Sequence, residues 1–308
     1  MRVAFLGNDL WSVPSLEAVA GSSHQVVMVV TRDPRPAGRG GRPSPTAVAE
    51  AARALGLPLL ETPTVKEGRG LKALRDATPD VLAVVAYGEI LPGAVLALPR
   101  VAPVNVHFSL LPKLRGADPV RRAILDGHDT TGVSTIRMDA GLDTGPVLLQ
   151  ASTEIVEDED AGALGNRLGA MGGNLLVKTL DGLAAGDLPE RPQDGSRATL
   201  APKFKSEEEW IDWGDDAERV VRQVRALSPK PGARTKFRGR ELKVLRARPV
   251  EGRGGPGSIV EVSRDRLVAA AGKGAVVLDE VIPEGRRRMN GADFARGQRP
   301  VVGERLGD

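Results

Sequence analysis

Residues 80–86, Asp-Val-Leu-Ala-Val-Val-Ala, form a nearly continuous apolar run that stops at Tyr87-Gly88-Glu89-Ile90-Leu91-Pro92. A short valine-rich run ending in a turn reads as a strand covered on both faces. Residues 2–6 and 25–30 have the same character. Helical segments are expected at 15–19, at 46–55 and at 65–77, with a short strand at 57–60. Strands alternating with helices at this spacing predict a parallel sheet with helices on both sides. In such sheets ligands bind beyond the carboxyl ends of the strands. The turn after the first run reads Gly7-Asn8-Asp9-Leu10-Trp11. It is not G-x-G-x-x-G, which argues against a dinucleotide site and a nicotinamide oxidoreductase.

A second strand ending carries more chemistry. Val104-Asn105-Val106-His107-Phe108-Ser109-Leu110-Leu111-Pro112 reads as a buried strand running into a turn. Side chains two apart on a strand share a face, so Asn105 and His107 point one way and Val104, Val106 and Phe108 the other. An amide donor beside a titratable imidazole suits a carbonyl that must become an oxyanion. Asp143 arrives from Met138-Asp139-Ala140-Gly141-Leu142-Asp143-Thr144-Gly145-Pro146, a loop made tight by its glycines. A carboxylate there can hold the imidazole. Asp139 can contact a ligand or cap its own turn.

These two motifs, Asn-x-His-x-Ser-Leu-Leu-Pro and Asp-x-Gly-Leu-Asp-Thr-Gly, resemble the signature of the 10-formyltetrahydrofolate-dependent formyltransferases. The resemblance covers essentially the full length and is to the members that formylate initiator Met-tRNA for translation initiation. It implies an α/β chain with an N-terminal Rossmann-like parallel-sheet domain and a small C-terminal OB-like β-barrel. The implied catalytic residues are Asn105, His107 and Asp143. The formyl donor, 10-formyltetrahydrofolate, is expected against Tyr87, Gly88, Ile90, Leu91, Ser109, Leu110, Leu111, Pro112 and Asp139, with Ile90 and Leu91 as apolar walls. Two places depart from the family pattern, Asp9-Leu10-Trp11-Ser12 and Asp118. Leu10 or Trp11 is a candidate to face the amino acid.

The stretch from Thr31 to Pro45 has three glycines, four prolines and four arginines. It reads as a mobile basic loop without regular structure. By the resemblance it contacts the acceptor end of the tRNA, through Arg35, Arg39 and Arg42, with Arg39 foremost. Lys203 and Lys205 are further candidates for RNA contact. The net charge is only +3, yet residues 219–253 hold twelve Lys or Arg against Glu241 and Glu251. Such density is a footprint for a polyanion. Aromatic residues are 3% of the chain, so contact with the RNA backbone should outweigh base stacking.

Cysteine is absent, which removes disulfides, thiolate metal sites and a cysteine nucleophile and suits a reducing cytoplasm. The three histidines, His24, His107 and His128, lack ligand spacing, so no protein metal site is expected. His24 and His128 read as plain surface residues. No signal peptide is read at the start, and no stretch reaches the ~18 apolar residues of a membrane span. A monomer is expected. The domains expected are 1–188 for formyl transfer, 189–205 as a polar linker and 206–308 as a tRNA-binding barrel. Five short strands between 233 and 281 support the barrel. Two rivals remain open: a folate formyltransferase acting on a small amine, and an RNA-binding protein that keeps an inactive enzyme domain.

Overall fold

The computed structural model describes residues 1–37 and 42–308. Arg39 lies outside the described residues. The chain forms two compact units, one of residues 1–119, 130–154 and 165–202, the other of 120–129, 155–164 and 203–308.

In the first unit β1 (Arg2–Gly7), α1 (Val13–Ala20), β2 (Gln25–Thr31), β3 (Arg35–Ala37), β4 (Arg42–Ser44), α2 (Ala47–Ala54), β5 (Leu59–Glu61), α3 (Gly68–Asp76), β6 (Val81–Val85), α4 (Gly93–Leu96) and β7 (Ala102–His107) follow in order. The helix α5 (Pro119–Leu125) separates these from β8 (Thr130–Arg137) and β9 (Val147–Glu154), and α6 (Ala161–Ala185) completes the set. The sheet has seven strands in the order β5-β2-β1-β6-β7-β8-β9. The first five are parallel, while β8 runs antiparallel to both of its neighbours, β7 and β9. Residues 138–146 between β8 and β9 are too few for a crossover, so β9 must return antiparallel.

The valine runs are buried on both faces, as their composition requires. Leu6, Leu82 and Val84 pack with Leu74, Tyr87 and Val95 on one side. On the other side α6 approaches closely because it carries glycine where neighbours intrude. A Cβ on Gly172 would meet Val106 and Phe108 at 3.0 and 3.2 Å, and one on Gly165 would enter the Trp11 ring. Trp11 thus packs against α6, and Leu10 stands exposed.

The basic loop differs from expectation, because β3 and β4 pair as a hairpin. Pro36 faces Pro43 in its register. A position where neither residue must donate an N–H lets proline sit in a ladder, with the flanking pairs making the bonds. The expected linker differs too. Residues 189–202 lie along the first unit: Arg191 and Val147 exchange backbone bonds, and Thr199 and Ala201 bond Arg115. Unpaired backbone polar groups account for this, since a segment with partners at hand does not stay free.

In the second unit α7 (Ala217–Leu227) precedes β10 (Ala233–Phe237), β11 (Arg240–Val250), β12 (Ile259–Val262), β13 (Leu267–Ala270), β14 (Ala275–Pro283), β15 (Met289–Asn290) and α8 (Gly291–Gln298). The antiparallel order is β10-β11-β14-β13-β12. Its two open edges are bridged by the last residues, Leu306 pairing with Phe237 and Arg305 with Ser258. The core is Trp213, Val220, Val224, Leu227, Leu278 and Phe294, among others. Phe237 and Phe294 meet edge to face with centroids 5.5 Å apart. No helix among the described residues is long and apolar enough to cross a membrane.

His24 corrects the surface expectation. Its ring is buried, with Nδ1 3.1 Å from the Met1 amine and Nε2 3.1 Å from Asp181 Oδ1. Burial, then the ammonium, hold its pKa below the ordinary 6.5, and Asp181 opposes them. The unfolded chain therefore binds this proton more readily than the fold does. The contribution is complete above pH ~6.5 and is lost as pH falls. Calorimetric melts from about pH 7 to about pH 5.5 should show a smaller fall in Tm for His24→Asn than for the parent chain.

Candidate active site

The parallel-to-antiparallel switch puts the end of β7 between β6 and β8. Asn105 pairs with Val84 on one side and Ile136 on the other, and His107 with Ser134. Val106 and Phe108 are buried toward α6, so alternation turns Asn105 and His107 to the opposite face. The loop after β8 brings Asp143 to that face.

The three groups meet. Asn105 Nδ2 donates to Asp143 Oδ1 at 3.3 Å. The other oxygen, Oδ2, accepts from the Gly116 amide at 2.8 Å and lies 3.6 Å from His107 Nδ1. His107 Nε2 is 2.8 Å from the Leu114 carbonyl. A carbonyl only accepts, so Nε2 is the donor and keeps its proton. Nδ1 is left as the ring position that can gain or lose one, and it faces the carboxylate. The 3.6 Å gap is longer than a direct hydrogen bond. His107 and Asp143 are 5% and 14% exposed at their side chains, and Asn105 is half-buried. An amide has two N–H groups and only one is spent on Asp143.

Left-handed backbone shapes this corner. Leu114 has φ 59° and Asp143 φ 53°, although neither is glycine. Each such residue costs ~1–2 kcal/mol and persists only when its surroundings impose it. For Leu114 the gain is a carbonyl aimed at His107. For Asp143 it is a carboxylate aimed at three partners.

The residues expected to meet the donor fall into two groups. Tyr87, Leu91, Ser109 and Leu111 turn their side chains inward. Tyr87 and Leu91 belong to the core under β6, so Leu91 supports the loop from below instead of walling its open side. Burial, then Glu89, pushes the Tyr87 phenol up. Ser109 donates to Lys113 O at 2.6 Å, and Leu111 packs on Ile136 and Val147. Ile90, at 77% exposure, and Gly88 remain open, with Leu110 and Pro112 half-buried. Asp139 Oδ1 accepts from Gly141 N at 3.0 Å and Thr144 Oγ1 at 2.7 Å, so it caps its own turn.

Asn8 was not singled out in the sequence. Its Oδ1 accepts from Thr31 Oγ1 and Arg32 N, both at 2.8 Å, and its Nδ2 donates to Tyr87 O. Arg32 Nη2 reaches the same carbonyl at 3.0 Å. The ends of β1, β2 and β6 are thereby tied together. A polar residue directly after a central strand was the available signal.

Much of the basic density is consumed internally. In the second unit Arg219 and Arg222 donate to Leu125 O, Arg225 to Glu159 O and Val156 O, and Lys243 to Pro231 O. Arg234, Arg238 and Arg248 pair with Glu209, Glu304 and Asp279. Lys203, Lys205, Lys236, Arg240 and Arg253 are exposed there, and Arg35 is exposed in the first unit. The register pairing Leu242 with Pro283 sets the turn before Arg240 beside the turn carrying exposed Arg286 and Arg287. Arg42 begins β4. A broad hollow of about 1120 Å³, lined by Asp216, Arg253 and Lys273 among others, lies in the second unit. Among the described residues no three His, Asp or Glu side chains gather as a metal would require.

Residues 1–180 match the formyl transferase family and residues 203–299 its C-terminal domain, and the chain belongs to that family. The particular relatives it is similar to are methionyl-tRNA formyltransferases. One from Thermus thermophilus is 48% identical over 307 residues, covering 100% of this chain and 99% of the relative. That of Solibacter usitatus is 44% identical over 310 residues, covering 100% and 99%. Among solved structures, HypX from Aquifex aeolicus in complex with tetrahydrofolic acid shares the fold, with TM-score 0.67 and 19% identity over 99% of this chain and 48% of that one. Glycinamide ribonucleotide transformylase 1 from Symbiobacterium toebii does so over 63% of this chain and 94% of its own, with TM-score 0.53 and 22% identity.

Gly116 tests the packing of this corner. It has φ 125°, and a Cβ there would stand 2.7 Å from Ala201 O. Gly116→Ala should cost more than ~1 kcal/mol in a denaturant titration, with a lowered midpoint at unchanged slope.

Proposed function

We propose that the chain transfers the formyl group of 10-formyltetrahydrofolate to the α-amino group of methionine on initiator Met-tRNA, as a monomer in the cytoplasm. One observation carries the reading. Asp143 binds Asn105 with one oxygen and faces His107 Nδ1 with the other, at the carboxyl end of a central strand. The names of full-length relatives at 44–48% identity support the choice of acceptor.

The acceptor is already an amine, with a pKa of ~7.7–8, so a sizeable fraction is neutral near pH 7 and no enzyme nucleophile is needed. The amine adds to the formyl carbon, and the carbonyl oxygen becomes an oxyanion. The uncommitted N–H of Asn105 donates to it. His107 works through Nδ1, because Leu114 O occupies Nε2. Asp143 orients that nitrogen and helps move the proton from the attacking amine toward N10, the leaving nitrogen. Collapse of the intermediate breaks the carbon–N10 bond. N-formylmethionyl-tRNA and tetrahydrofolate are released.

The folate reading rests on backbone groups of Gly88 and residues 109–112, with Ile90 as the exposed apolar wall. Asp139 acts by shaping the loop. For the tRNA, Arg35, Arg39, Arg42, Lys203 and Lys205 remain the candidates, joined by Arg240, Arg286 and Arg287. The division into a catalytic part, 1–188, and a tRNA-binding part, 206–308, belongs to the same proposal.

Incubation with 10-formyltetrahydrofolate and charged initiator tRNA should block the methionine amine. Elongator Met-tRNA and small amines should be far poorer acceptors, and equal use of a sugar or purine-precursor amine contradicts the reading. Asn105→Ala, His107→Ala and Asp143→Ala should each lower kcat at least ~100-fold in folded protein, judged by circular dichroism. Arg240→Glu with Arg286→Glu should weaken Met-tRNA binding and flatten its dependence on salt, read by filter binding across a salt series.

A further inference from the structure

The segment that looked like a linker passes directly beside the site. Gln193 Nε2 donates to two carbonyls, Asp143 O and Gly145 O, each at 2.7 Å. Its Oε1 accepts from Arg115 Nε at 3.1 Å and Nη2 at 2.7 Å. Both amide hydrogens and the amide oxygen are thus engaged. The two carbonyls flank Thr144, so the pair of bonds spans the turn that presents Asp143. Further on, Thr199 Oγ1 accepts from Leu114 N at 2.8 Å, and Thr199 O from Arg115 N at 2.8 Å.

The two residues served this way, Leu114 and Asp143, are two of the six non-glycine residues with left-handed backbone among the described residues. Leu114, at φ 59°, presents its carbonyl to His107, and Asp143, at φ 53°, presents its carboxylate. Neither conformation is self-sustaining for a residue with a side chain. We infer that residues 193–199 are a clamp on the catalytic groups, and that Gln193, braced by Arg115, is the positioning residue that keeps Asp143 aimed at His107 and Asn105. The catalytic side of this inference rests on the role proposed above for Asp143. The clamp itself rests only on the hydrogen bonds.

Gln193→Glu separates positioning from stability. Glutamate keeps an acceptor for Arg115, now a charged one, and replaces the donor facing Asp143 O and Gly145 O by an oxygen. The expected result is a kcat for Met-tRNA formylation lowered by about tenfold to a hundredfold. KM for both substrates should stay within about threefold, because the loss of catalysis falls on the transition state, while a lowered Tm reports the two lost hydrogen bonds and circular dichroism shows the chain still folded at the assay temperature. Arg115→Met touches Asp143 only through Gln193, so it should lower kcat in the same direction and add nothing to Gln193→Leu in the double variant. It also serves if Gln193→Glu does not fold. Amide hydrogen exchange of the full chain gives a readout that needs no activity, and the peptide covering residues 138–146 should exchange faster in Gln193→Glu. Wild-type kcat in both single variants, additive losses in the double, or unchanged exchange in that peptide overturns the clamp. Faster exchange in a chain that formylates nothing supports the clamp and refutes only the functional reading.

Discussion

One carboxylate with both oxygens occupied organises the corner where β7 ends. Asp143 is a side-chain-bearing residue in left-handed backbone, and its Oδ1 and Oδ2 divide the surrounding groups between them. Asn105 is fixed by one oxygen. The Gly116 amide is fixed by the other, and through the adjacent chain so is the Leu114 carbonyl that holds the far side of His107. A carboxylate in this place sets the direction of the Asn105 amide, while the Leu114 carbonyl fixes the His107 proton on Nε2. Loss of aim at Asp143 would therefore disturb Asn105 and His107 at once.

The sheet explains why such a corner exists. Parallel strands deliver their carboxyl ends to one edge, where ligands gather in α/β folds. After β7 the direction reverses, and the loop after β8, which starts beside the amino end of β7, folds back over the sheet face so that Asp143 meets Asn105 and Gly116. Glycine-limited turns at Gly116 and Gly145 let three backbones converge, since an added Cβ would strike Ala201 O or Arg137 O. The cost is backbone held in unfavourable conformations, and the partners that hold it come from residues 193–201.

What could be read from the sequence follows physical range. Strand alternation is local, so Asn105 and His107 were correctly put on one face, and Val106 and Phe108 on the other. The valine runs gave the central strands for the same reason. The reversal at β8 was not foreseen, because a single apolar strand carries no direction. The hairpin at Arg35–Ala37 was hidden by proline, whose meaning depends on which residue stands opposite. His24 read as exposed because only the fold brings Asp181 to it. The arginine density after residue 219 overstated the free charge, since guanidinium groups are also used to cap carbonyls. Gln193 was invisible for a related reason. Its partners lie 48, 50 and 78 residues away, and an isolated glutamine in a polar stretch gives no local sign of what it meets.

The most direct measurement is a nitrogen-15 titration of the His107 ring in the intact chain. The geometry predicts a neutral ring with its proton on Nε2, held by Leu114, and Nδ1 as the nitrogen whose shift moves on protonation. A neutral ring protonated at Nδ1 instead would contradict it, because the Nε2 lone pair would then face the Leu114 carbonyl, acceptor against acceptor.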